Sequence, residues 1–542
     1  MLMAFKSQFY DPLYDFVTLE DAEEGTEDSM AIFDPEFSKK SKRPKKQTKK
    51  ILPFLDTFEV SRLSFLRQSG LAFLVYPSST HTRFSHSVGC CYLGFMACEE
   101  ISVETIRKDQ KDKGKDRLET VYLSQWLEDR NWKEEFLLAL LLHDIGHFPF
   151  SHTIESNGEF WLHFPKIDEG GKKRDLTHED IASGLILGDK EESLKINGKH
   201  IFERFHEHID SRFSLGDAQT EYQFVHQLIG NHLDIDVNVL CYLISGRRVH
   251  LSAIKEDMRK DVDLLQDLVS GLLDLDRIDH YRRDSYFTGL RFGSNLNFAS
   301  LMSGMTMHFD PRTESEGGLG FQMRLSADAI GHALTLLQAK DRLVHDCFEN
   351  PLNMAYEAML HLAINLLFRL NELSANEIME SATIERAADL FFMTDDELLS
   401  ILIESKDKRV KTLASRIINR RPYCHVGRAV FTVEDVPSLK EIRENLAHDS
   451  GLSESEIAVR ASKAFGRTPT MAKEWMALKR LYDLAGTPLE KLDDYEAQIA
   501  YLKTVQDSPP KMVWYFTARE DKKDDLIKLI RSEKIKYGKL IE

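Results

Sequence analysis

Cysteine is scarce in this chain and is not arranged for cross-linking. The 542 residues include six cysteines, which are scattered, and no two of them form a CxxC pair. Small secreted domains that depend on disulfides are rich in cysteine. The sequence therefore predicts no disulfide framework, and it favours a reducing compartment.

Long apolar runs are also missing. No stretch approaches the ~20 apolar residues that a membrane helix needs. The start, MLMAFKSQFYDPLYDF, lacks the basic residues and the apolar middle of a signal peptide. We therefore expect a cytoplasmic protein with no membrane partner. The formal net charge of −17 disfavours non-specific binding to nucleic acid or to an anionic membrane.

The chain divides by composition into three regions. Residues 1–50 are predicted to be an irregular segment with an acidic run, EDAEEGTED, and a basic run at 39–50 that holds eight Lys or Arg. Runs of like charge are typical of solvated segments. Residues 51–425 show helical periodicity, and residues 426–542 are predicted to form a C-terminal lobe of open function.

The pattern of apolar residues predicts a mostly α fold with a small β component and an additional C-terminal α/β lobe. The stretch EEFLLALLLHDIG is apolar almost all round, which indicates a buried helix. MTMHFD, GGLGFQMRLS and KMVWYFTA predict short strands. ISVETIRKDQKDKGKDRLE is rich in mixed charge and is predicted to be a solvated excursion.

The buried helix ends in a cluster of ionisable residues, LLHDIGHFPFSH. Buried imidazoles and carboxylates are costly without partners. A single buried histidine is more often a hydrogen-bonded core residue than a ligand. An adjacent pair, His143 and Asp144, with His147 and His152 close by, instead indicates a metal site. Imidazole and carboxylate ligands suit Mn, Fe, Zn or Mg, and the spacing differs from the HExxH of zinc proteases.

Two other stretches offer further ligands and cations. STHTRFSHSVG contains Arg83 and His86, and DLDRIDHYRRDSY places acidic and basic residues on one helix side. Any one of these charges alone is best explained by a solvated salt bridge. Together with the His-Asp pair, they predict a metal beside an anion-binding surface, with Asp276 completing the metal ligands.

These stretches, in this order, resemble the HD-domain phosphohydrolases. More narrowly, they resemble the deoxynucleoside triphosphate (dNTP) triphosphohydrolases, which include bacterial dGTPases and the mammalian sterile-alpha-motif/HD dNTPase. The resemblance begins near DPLYDFVTL, runs through HTRFSHSVG, HDIGHFPFSH, THED and LDLDRIDHYRRDSYFTG, and fades after about residue 425. It implies an HD-domain helical fold for residues 51–425.

The resemblance also implies roles for individual residues. The implied metal ligands are His86, His143, Asp144 and Asp276. The implied catalytic residues at the phosphates are His147, His152, His178 and Glu155. The implied substrate-binding residues are Gln68, Arg83, Arg277, His280, Asp284, Lys340 and Phe348.

Some positions depart from the family pattern. Lys340 stands where the family usually has Arg, Phe348 where it has Tyr, and Asn350 where it has His. His280 replaces the Tyr of the usual D-x-x-D-Y pattern, and SRLS at 61–64 replaces the more usual QRLR, which helps to bind an activating nucleotide in some members. The substitutions leave base choice and nucleotide activation open.

The expected function is metal-dependent hydrolysis of dNTPs to a deoxynucleoside and inorganic triphosphate, which would regulate dNTP pools and act against viruses or phages. The resemblance implies one divalent metal ion (Mn, Fe, Mg or Zn), a further Mg with the triphosphate, a nucleotide activator, and a homo-oligomer between dimer and hexamer.

Two alternatives stay open from the sequence. The same HD site can serve another substrate, such as a signalling nucleotide or a nucleoside monophosphate, and the changes at Phe348 and His280 motivate this alternative. The basic run at 39–50 and the unassigned region 426–542 motivate a nucleotide- or nucleic-acid-binding regulator with little turnover.

Overall fold

Helices dominate the structure, as the apolar periodicity of the sequence predicts. The computed structural model describes residues 8–18, 51–108, 116–164, 166–169, 172–190, 193–196, 199–213, 224–232, 235–271, 273–293, 296–309, 321–374, 390–431, 437–463, 481–483, 486–487 and 511–541. Both charged runs of the first fifty residues lie outside these ranges. None of the helices in the described ranges has the length and apolar character that a bilayer crossing requires.

The described part of the chain contains helices from residue 52 to residue 537. The α-helices are α1 Phe58–Arg62, α2 Arg83–Glu100, α3 Leu123–Glu128, α4 Lys133–Leu142, α5 His152–Glu155, α6 His178–Leu187, α7 Ile201–Phe213, α8 Val225–His232, α9 Val237–Ser245, α10 Arg248–Ala253, α11 Arg259–Ser270, α12 Leu275–Thr288, α13 Phe298–Ser303, α14 Ala327–Leu343, α15 Pro351–Ser374, α16 Asp395–Glu404, α17 Lys408–Ile418, α18 Leu439–Ser450, α19 Lys523–Ser532 and α20 Lys534–Tyr537. A π-helical turn, Val344–Phe348, follows α14. The 3₁₀ turns are Leu52–Asp56, Leu63–Phe65, Gly70–Leu74, Phe160–His163, Glu256–Met258, Glu454–Glu456 and Glu520–Lys522.

The predicted buried helix is confirmed and lies at the centre of the core. In α4 every residue from Phe136 to Leu142 is no more than 2% exposed. It packs between α2 and α9, so apolar side chains meet neighbours on all sides. Burial of a whole helix explains why the sequence is apolar all round rather than on one face.

Strands form small sheets at the periphery of the helical body. The strands are β1 Gln8–Asp11, β2 Asp15–Thr18, β3 Ser102–Lys108, β4 Asp116–Tyr122, β5 Ile167–Glu169, β6 Lys172–Arg174, β7 Lys195–Ile196, β8 Lys199–His200, β9 Met305–Phe309, β10 Phe321–Leu325, β11 Cys424–Phe431, β12 Ile457–Lys463, β13 Leu481–Asp483, β14 Lys511–Thr517 and β15 Lys539–Ile541. The order in the larger sheet is β13-β10-β9-β3-β4. The strands predicted from MTMHFD, GGLGFQMRLS and KMVWYFTA are confirmed.

The stretch after α2 forms a β-hairpin that the sequence pattern did not predict. ISVETIRKDQKDKGKDRLE was expected to be a solvated excursion, but β3 and β4 pair antiparallel from Ser102↔Tyr122 to Lys108↔Asp116, and β3 pairs with β9. Val103 is buried at the inner end of β3. The many charged residues of this stretch obscure the strand pattern in ISVETIRK.

The fold class predicted from the sequence is confirmed, including the C-terminal α/β part. We use "C-terminal lobe" for residues 424–463 and 511–541 of the described chain. Its sheet has the antiparallel order β12-β14-β11-β15, and α18 and α19 cover one face to form a separate apolar core. Trp514 and Phe516 belong instead to the main core, on the face toward α15. The limits of the three predicted regions stay a prediction.

A buried glutamate links α1 to the start of α8. Glu59 is 1% exposed, and its Oε1 accepts a hydrogen bond from Val225 N–H at 3.2 Å. Burial raises the pKa of Glu59 to about 8, although backbone hydrogen bonds oppose the shift. The folded protein therefore binds this proton more tightly than the unfolded chain does.

We expect Glu59→Gln to make stability less dependent on pH. The stabilising contribution of the protonated carboxyl is complete below pH 4.5 and is lost as the pH rises through about 8. Glutamine stays neutral, so its stability relative to wild type should rise by on the order of 3 kcal/mol between pH 5 and 8.5. Urea unfolding at both values measures this, with Glu404→Gln at an exposed position as the control. Equal shifts in both variants would contradict it.

Candidate active site

The four predicted metal ligands meet at the junction of three helices. His86 lies in α2, His143 and Asp144 directly follow α4, and Asp276 lies in the first turn of α12. His86 Nε2 is 3.3 Å from His143 Nε2 and 2.9 Å from Asp276 Oδ1. His143 Nε2 is 3.4 Å from Asp144 Oδ1 and 3.7 Å from Asp276 Oδ1. Donor atoms this close together can share one cation.

Hydrogen bonds orient both imidazoles toward this point. Nδ1 of His143 bonds the carbonyl of Leu140 at 2.9 Å, and Nδ1 of His86 bonds Asp279 Oδ2 at 2.7 Å. Each bond places a proton on Nδ1, so that Nε2, which faces the other donor atoms, would offer its lone pair to a bound ion. Metal-binding histidines are typically oriented in this way by a carboxylate or a carbonyl. The donor set therefore fits a divalent cation.

A chain of charged groups supports His86 from behind. Arg283 donates to both oxygens of Asp279 at 2.8 Å and to Asp11 Oδ2 at 2.7 Å. Tyr14 donates its hydroxyl to Asp279 Oδ1 at 2.8 Å. A Cβ on Gly89 would lie 2.3 Å from Asp279 Oδ1, so glycine is required for α2 and α12 to approach this closely.

The electrostatics of the cluster favour a cation. Burial would raise the pKa of Asp144, but the charges of Arg83 and His143 hold it well below its usual value. Burial would also raise the pKa of Asp276, but hydrogen bonds with His143 and His86 hold it well below its usual value. Both carboxylates are therefore anions, and a positive ion between them lowers the cost of their burial.

Cys90 was missed by the sequence reasoning as a member of this group. Its Sγ lies 3.5 Å from His86 Nδ1, one helical turn further along α2. The Cys90 thiol, His86, His143 and Asp276 each offer a ligand atom within 4.8 Å of the others. Burial raises the pKa of this thiol well above its usual value, so it lies beside the predicted metal ligands as a neutral group. The i, i+4 spacing from His86 is the signal that could have revealed it.

The four predicted catalytic residues form a second cluster next to the first. Glu155 Oε2 accepts a hydrogen bond from His152 Nδ1 at 2.6 Å, and its Oε1 accepts one from His178 Nδ1 at 2.6 Å. His147 stacks on His178 with ring centroids 3.7 Å apart, and its Nε2 is 3.3 Å from Asp144 Oδ1. His147 thus links the two clusters.

The composition of this cluster would suit a second metal ion, and its charges also suit an anion. Burial would lower the pKa of His178, but Glu179 and Glu155 outweigh burial and raise it to about 10. Burial, Arg83 and His178 together hold the pKa of His147 well below its usual value. At neutral pH the cluster thus contains one cationic and one neutral imidazole, an arrangement suited to an anion and to proton transfer.

A strained turn connects the two clusters. Phe150 and Ser151 both have φ of 56°, which non-glycine residues rarely adopt. Asp395 accepts a hydrogen bond from the Phe150 N–H at 2.7 Å, and the hydroxyl of Ser151 accepts one from Arg83 Nε at 2.7 Å. These contacts hold the turn and place His152 at the start of α5.

Gly146 allows α6 to approach the HD motif. A Cβ at this position would lie 2.0 Å from the carbonyl oxygen of His178 and 2.5 Å from the backbone nitrogen of Ala182. The start of α6 is otherwise well defined by a capping interaction, in which Asp180 accepts a hydrogen bond from the Thr177 N–H at 2.9 Å.

We expect Gly146→Ala to displace α6 and lower the free energy of unfolding by roughly 3 kcal/mol, the upper part of the range for overpacking. The contacts are with backbone atoms, which cannot move aside as a flexible side chain can. Gly158→Ala is the matched control, since no atom lies within 4 Å of its Cβ position. Chemical denaturation of both variants measures the difference, and equal stability would contradict the expectation.

The predicted substrate-binding residues fall into two sets around these clusters. On one side, Gln68 Nε2 lies 3.3 Å from His280 Nδ1, and His280 Nε2 lies 3.0 Å from Asp284 Oδ2. His81 bonds the other oxygen of Asp284 at 2.6 Å. The ring of His280 is 5.9 Å from that of His86 and 6.4 Å from that of Phe348. These residues therefore form a continuous wall beside the metal ligands.

The other set carries positive charge. Arg83 Nη1 bonds Asp144 Oδ2 at 2.7 Å, and Nη2 of the same guanidinium is buried with no hydrogen-bond partner in the described part of the chain. Arg277 follows Asp276 in α12, and its Nε lies 3.5 Å from Asp274 Oδ2. Lys340 is half-buried on α14.

A comparison of the sequence with known protein families identifies a domain at this site. The family described as "HD domain" matches residues 83–234. The chain contains an HD domain. The matched HD segment includes three of the predicted metal ligands, His86, His143 and Asp144, and Asp276 lies beyond it.

Curated relatives share the HD domain over part of their length. The "Uncharacterized protein YwfO" of Bacillus subtilis is 26% identical over 245 residues, which cover 45% of this chain and 38% of that protein. The "Deoxynucleoside triphosphate triphosphohydrolase SAMHD1 homolog" of Dictyostelium discoideum is 30% identical over 137 residues, covering 25% and 21%. The "Deoxynucleoside triphosphate triphosphohydrolase SAMHD1" of Gallus gallus is 22% identical over 421 residues, covering 71% and 60%.

The chain therefore spans less than two thirds of each of these relatives. The resemblance to HD-domain dNTP triphosphohydrolases that the sequence predicts is confirmed. These observations show an HD-domain match at residues 83–234 and a group of His and Asp side chains positioned for a divalent metal.

Proposed function

We propose that this HD protein hydrolyses deoxynucleoside triphosphates to a deoxynucleoside and inorganic triphosphate. The observation that carries the proposal is the adjacency of the two clusters: the imidazole and carboxylate donors around one point lie beside a cationic His178 and a buried arginine, Arg83. A triphosphate needs both a metal and fixed positive charge, and relatives named as dNTP triphosphohydrolases support this substrate class.

The residues divide the chemistry among them. A divalent ion held by His86, His143, Asp144 and Asp276 would polarise a phosphate oxygen and lower the pKa of a water molecule. His147 is neutral, so it can accept a proton from the attacking water. The free Nη2 of Arg83 is available to an oxygen of the α-phosphate.

The leaving group requires a proton. The bond between the α-phosphorus and the 5′ oxygen of the sugar breaks, and that oxygen must be protonated as it leaves. His152 has 59% of its side chain exposed and its Nδ1 is held by Glu155, so its other nitrogen is accessible to a substrate. We assign His152, positioned by Glu155, as the proton donor. His178, Arg277 and Lys340 are assigned to offset the charge of the triphosphate.

Product analysis tests the proposal. The purified protein is incubated with Mn²⁺ or Mg²⁺ and with each dNTP, alone and in pairs, and the products are separated by ion-exchange chromatography. Inorganic tripolyphosphate and deoxynucleoside in equal amounts are the expected products. Release of pyrophosphate or single phosphate, or no turnover with any dNTP, would overturn it. A rate that rises only in mixtures would identify a nucleotide activator.

The wall next to the sugar supports a second substrate class. His280 and Phe348 stand where the related family usually has tyrosines, and His280 is engaged by Gln68 and Asp284. A pocket with these side chains can accept a nucleotide other than a dNTP. The same assay with NTPs, nucleoside monophosphates and signalling nucleotides separates the two classes, because it shows which nucleotides the protein consumes. Turnover of dNTPs with release of tripolyphosphate supports the first class, and turnover of the other nucleotides alone supports the second.

Assembly is part of the proposal. The resemblance to dNTP triphosphohydrolases supports a homo-oligomer, and mass photometry with and without dNTPs measures the number of chains. A single-chain mass under all conditions would contradict it.

A further inference from the structure

The C-terminal lobe reaches the short helix that carries His152 and Glu155. Ser156 directly follows helix α5, and its hydroxyl accepts a hydrogen bond from Arg460 Nη2 at 2.7 Å. Arg460 lies in β12 of the lobe, and only 11% of its side chain is exposed. A guanidinium of the lobe thus contacts the residue directly after Glu155.

The same arginine also contacts α5 indirectly, through Glu357. Nε and Nη2 of Arg460 lie 3.1 and 2.9 Å from Glu357 Oε2 on α15. The other oxygen of Glu357 accepts hydrogen bonds from Thr153 Oγ1 at 3.5 Å and from Asn353 Nδ2 at 3.1 Å. Thr153 lies in α5 between the two predicted catalytic residues. Arg460 and Glu357 therefore contact both ends of this single helical turn.

A second arginine of the lobe fixes the segment after α5. Arg443 on α18 is 3% exposed and binds both carboxylate oxygens of Glu159, at 2.8 and 3.2 Å. Arg369 on α15 also binds Glu159, at 3.1 Å, and its Nη1 lies 3.0 Å from Glu454 of the lobe. The lobe therefore holds the chain at Ser156 and again at Glu159.

These contacts matter because α5 is too short to hold its own shape. One helical turn is not stable in isolation, since nucleation fixes several residues for a single hydrogen bond. Buried, charge-assisted hydrogen bonds with two-pronged geometry are directional and strong. The orientation of α5 is consequently set by its partners, and with it the position of Glu155 between His152 and His178.

We propose that Arg460 is a positioning residue for the active site: the C-terminal lobe holds α5 in the orientation in which Glu155 bridges His152 and His178. The proposal rests on the proposed function, because it takes these residues as the groups that handle the proton of the leaving oxygen. It gives the lobe a part in turnover without giving it a contact with the substrate.

Arg460→Lys tests the proposal in the full-length protein. An ammonium cannot bind Ser156 and the Glu357 carboxylate with the fork geometry of a guanidinium. We expect kcat to fall about a hundredfold, the effect of a small misplacement of catalytic groups, with KM within about twofold of wild type. The alkaline limb of the pH–kcat profile should also shift. Arg519→Lys is the matched control, because its ion-pair partners Asp521 and Glu456 both lie in the lobe.

Hydrogen exchange gives a readout that does not depend on substrate. We expect the amides of residues 152–159 to exchange at least about tenfold faster in Arg460→Lys than in wild type or Arg519→Lys, with unchanged exchange in α2 and α12. If wild type hydrolyses no nucleotide, the proposed function fails and the exchange measurement still decides the positioning proposal. Wild-type exchange at 152–159, wild-type kcat, or faster exchange throughout the protein with a lower melting temperature would each overturn the positioning role.

Discussion

His143→Ala is expected to abolish binding of a divalent metal at the candidate site and to lower turnover by about a thousandfold or more. Nε2 of His143 lies 3.3 Å from His86 Nε2 and 3.4 Å from Asp144 Oδ1, so its removal takes one donor from the centre of the group. A metal ion contributes several kcal/mol of charge stabilisation, and about 4 kcal/mol corresponds to roughly three decades in rate.

The fold should survive this change. On the side away from the donor group, His143 makes a side-chain hydrogen bond to the carbonyl of Leu140, which lies in the preceding helix α4. Metal content after dialysis against Mn²⁺, steady-state rate and melting temperature are measured together. His448→Ala, at a position with 89% of the side chain exposed, is the control for losing an imidazole. Wild-type metal content or turnover in His143→Ala would refute the site.

Glu155→Gln is expected to lower kcat by about a hundredfold to ten-thousandfold, the usual contribution of general acid catalysis. The two oxygens of the carboxylate accept hydrogen bonds from His152 and His178 at 2.6 Å each. An amide has a single acceptor oxygen, so glutamine can accept only one of these bonds. The variant therefore loses the orientation of His152 and part of the charge that keeps His178 protonated.

The pH dependence has a definite sign. The pKa of His178 is raised to about 10 by Glu179 and Glu155 against the effect of burial, so the imidazolium persists until the pH rises through that value. Removing the charge of Glu155 lets burial lower this pKa. The alkaline limb of the pH–kcat/KM profile should then move to lower pH.

Glu179→Gln separates the two effects of Glu155. Glu179 lies 3.5 Å from His178 Nε2 and also raises its pKa, but it is not part of the bridge to His152. We expect Glu179→Gln to shift the alkaline limb while keeping most of the rate at pH 7. Equal losses at pH 7 in both variants would contradict the bridging role of Glu155, and unshifted profiles would contradict the assigned charge of His178.

The sequence was most informative where a local pattern has a single physical explanation. A helix that is apolar all round must be buried, so α4 was predictable. A buried carboxylate such as that of Asp144 needs a positive partner, so a possible metal site at the end of this helix was predictable as well. The meeting of His86 and Asp276 with this pair was implied by the resemblance. Spacing alone does not determine it, because these residues are separated by many helices.

The remaining features depend on contacts between distant parts of the chain. Tyr14 and Asp11 join the Asp279–Arg283 network across about half of the sequence, and no local pattern marks them. The β3–β4 hairpin was hidden by its charges. Arg460 looks like any other charged residue of a strand until Glu357 and Ser156 are placed beside it. Individual ion pairs of this kind carry no signature in a single sequence.

The hairpin formed by β1 and β2 has a practical consequence for anyone who shortens this protein. The charged runs before residue 51 invite removal of the N-terminal segment to improve expression or crystallisation. Such a cut would also delete Asp11 and Tyr14, which brace Arg283 and Asp279 behind His86. A truncated protein that begins at residue 51 would then be a misleading reagent, because a weak metal affinity or a poor rate would reflect the missing brace rather than the enzyme.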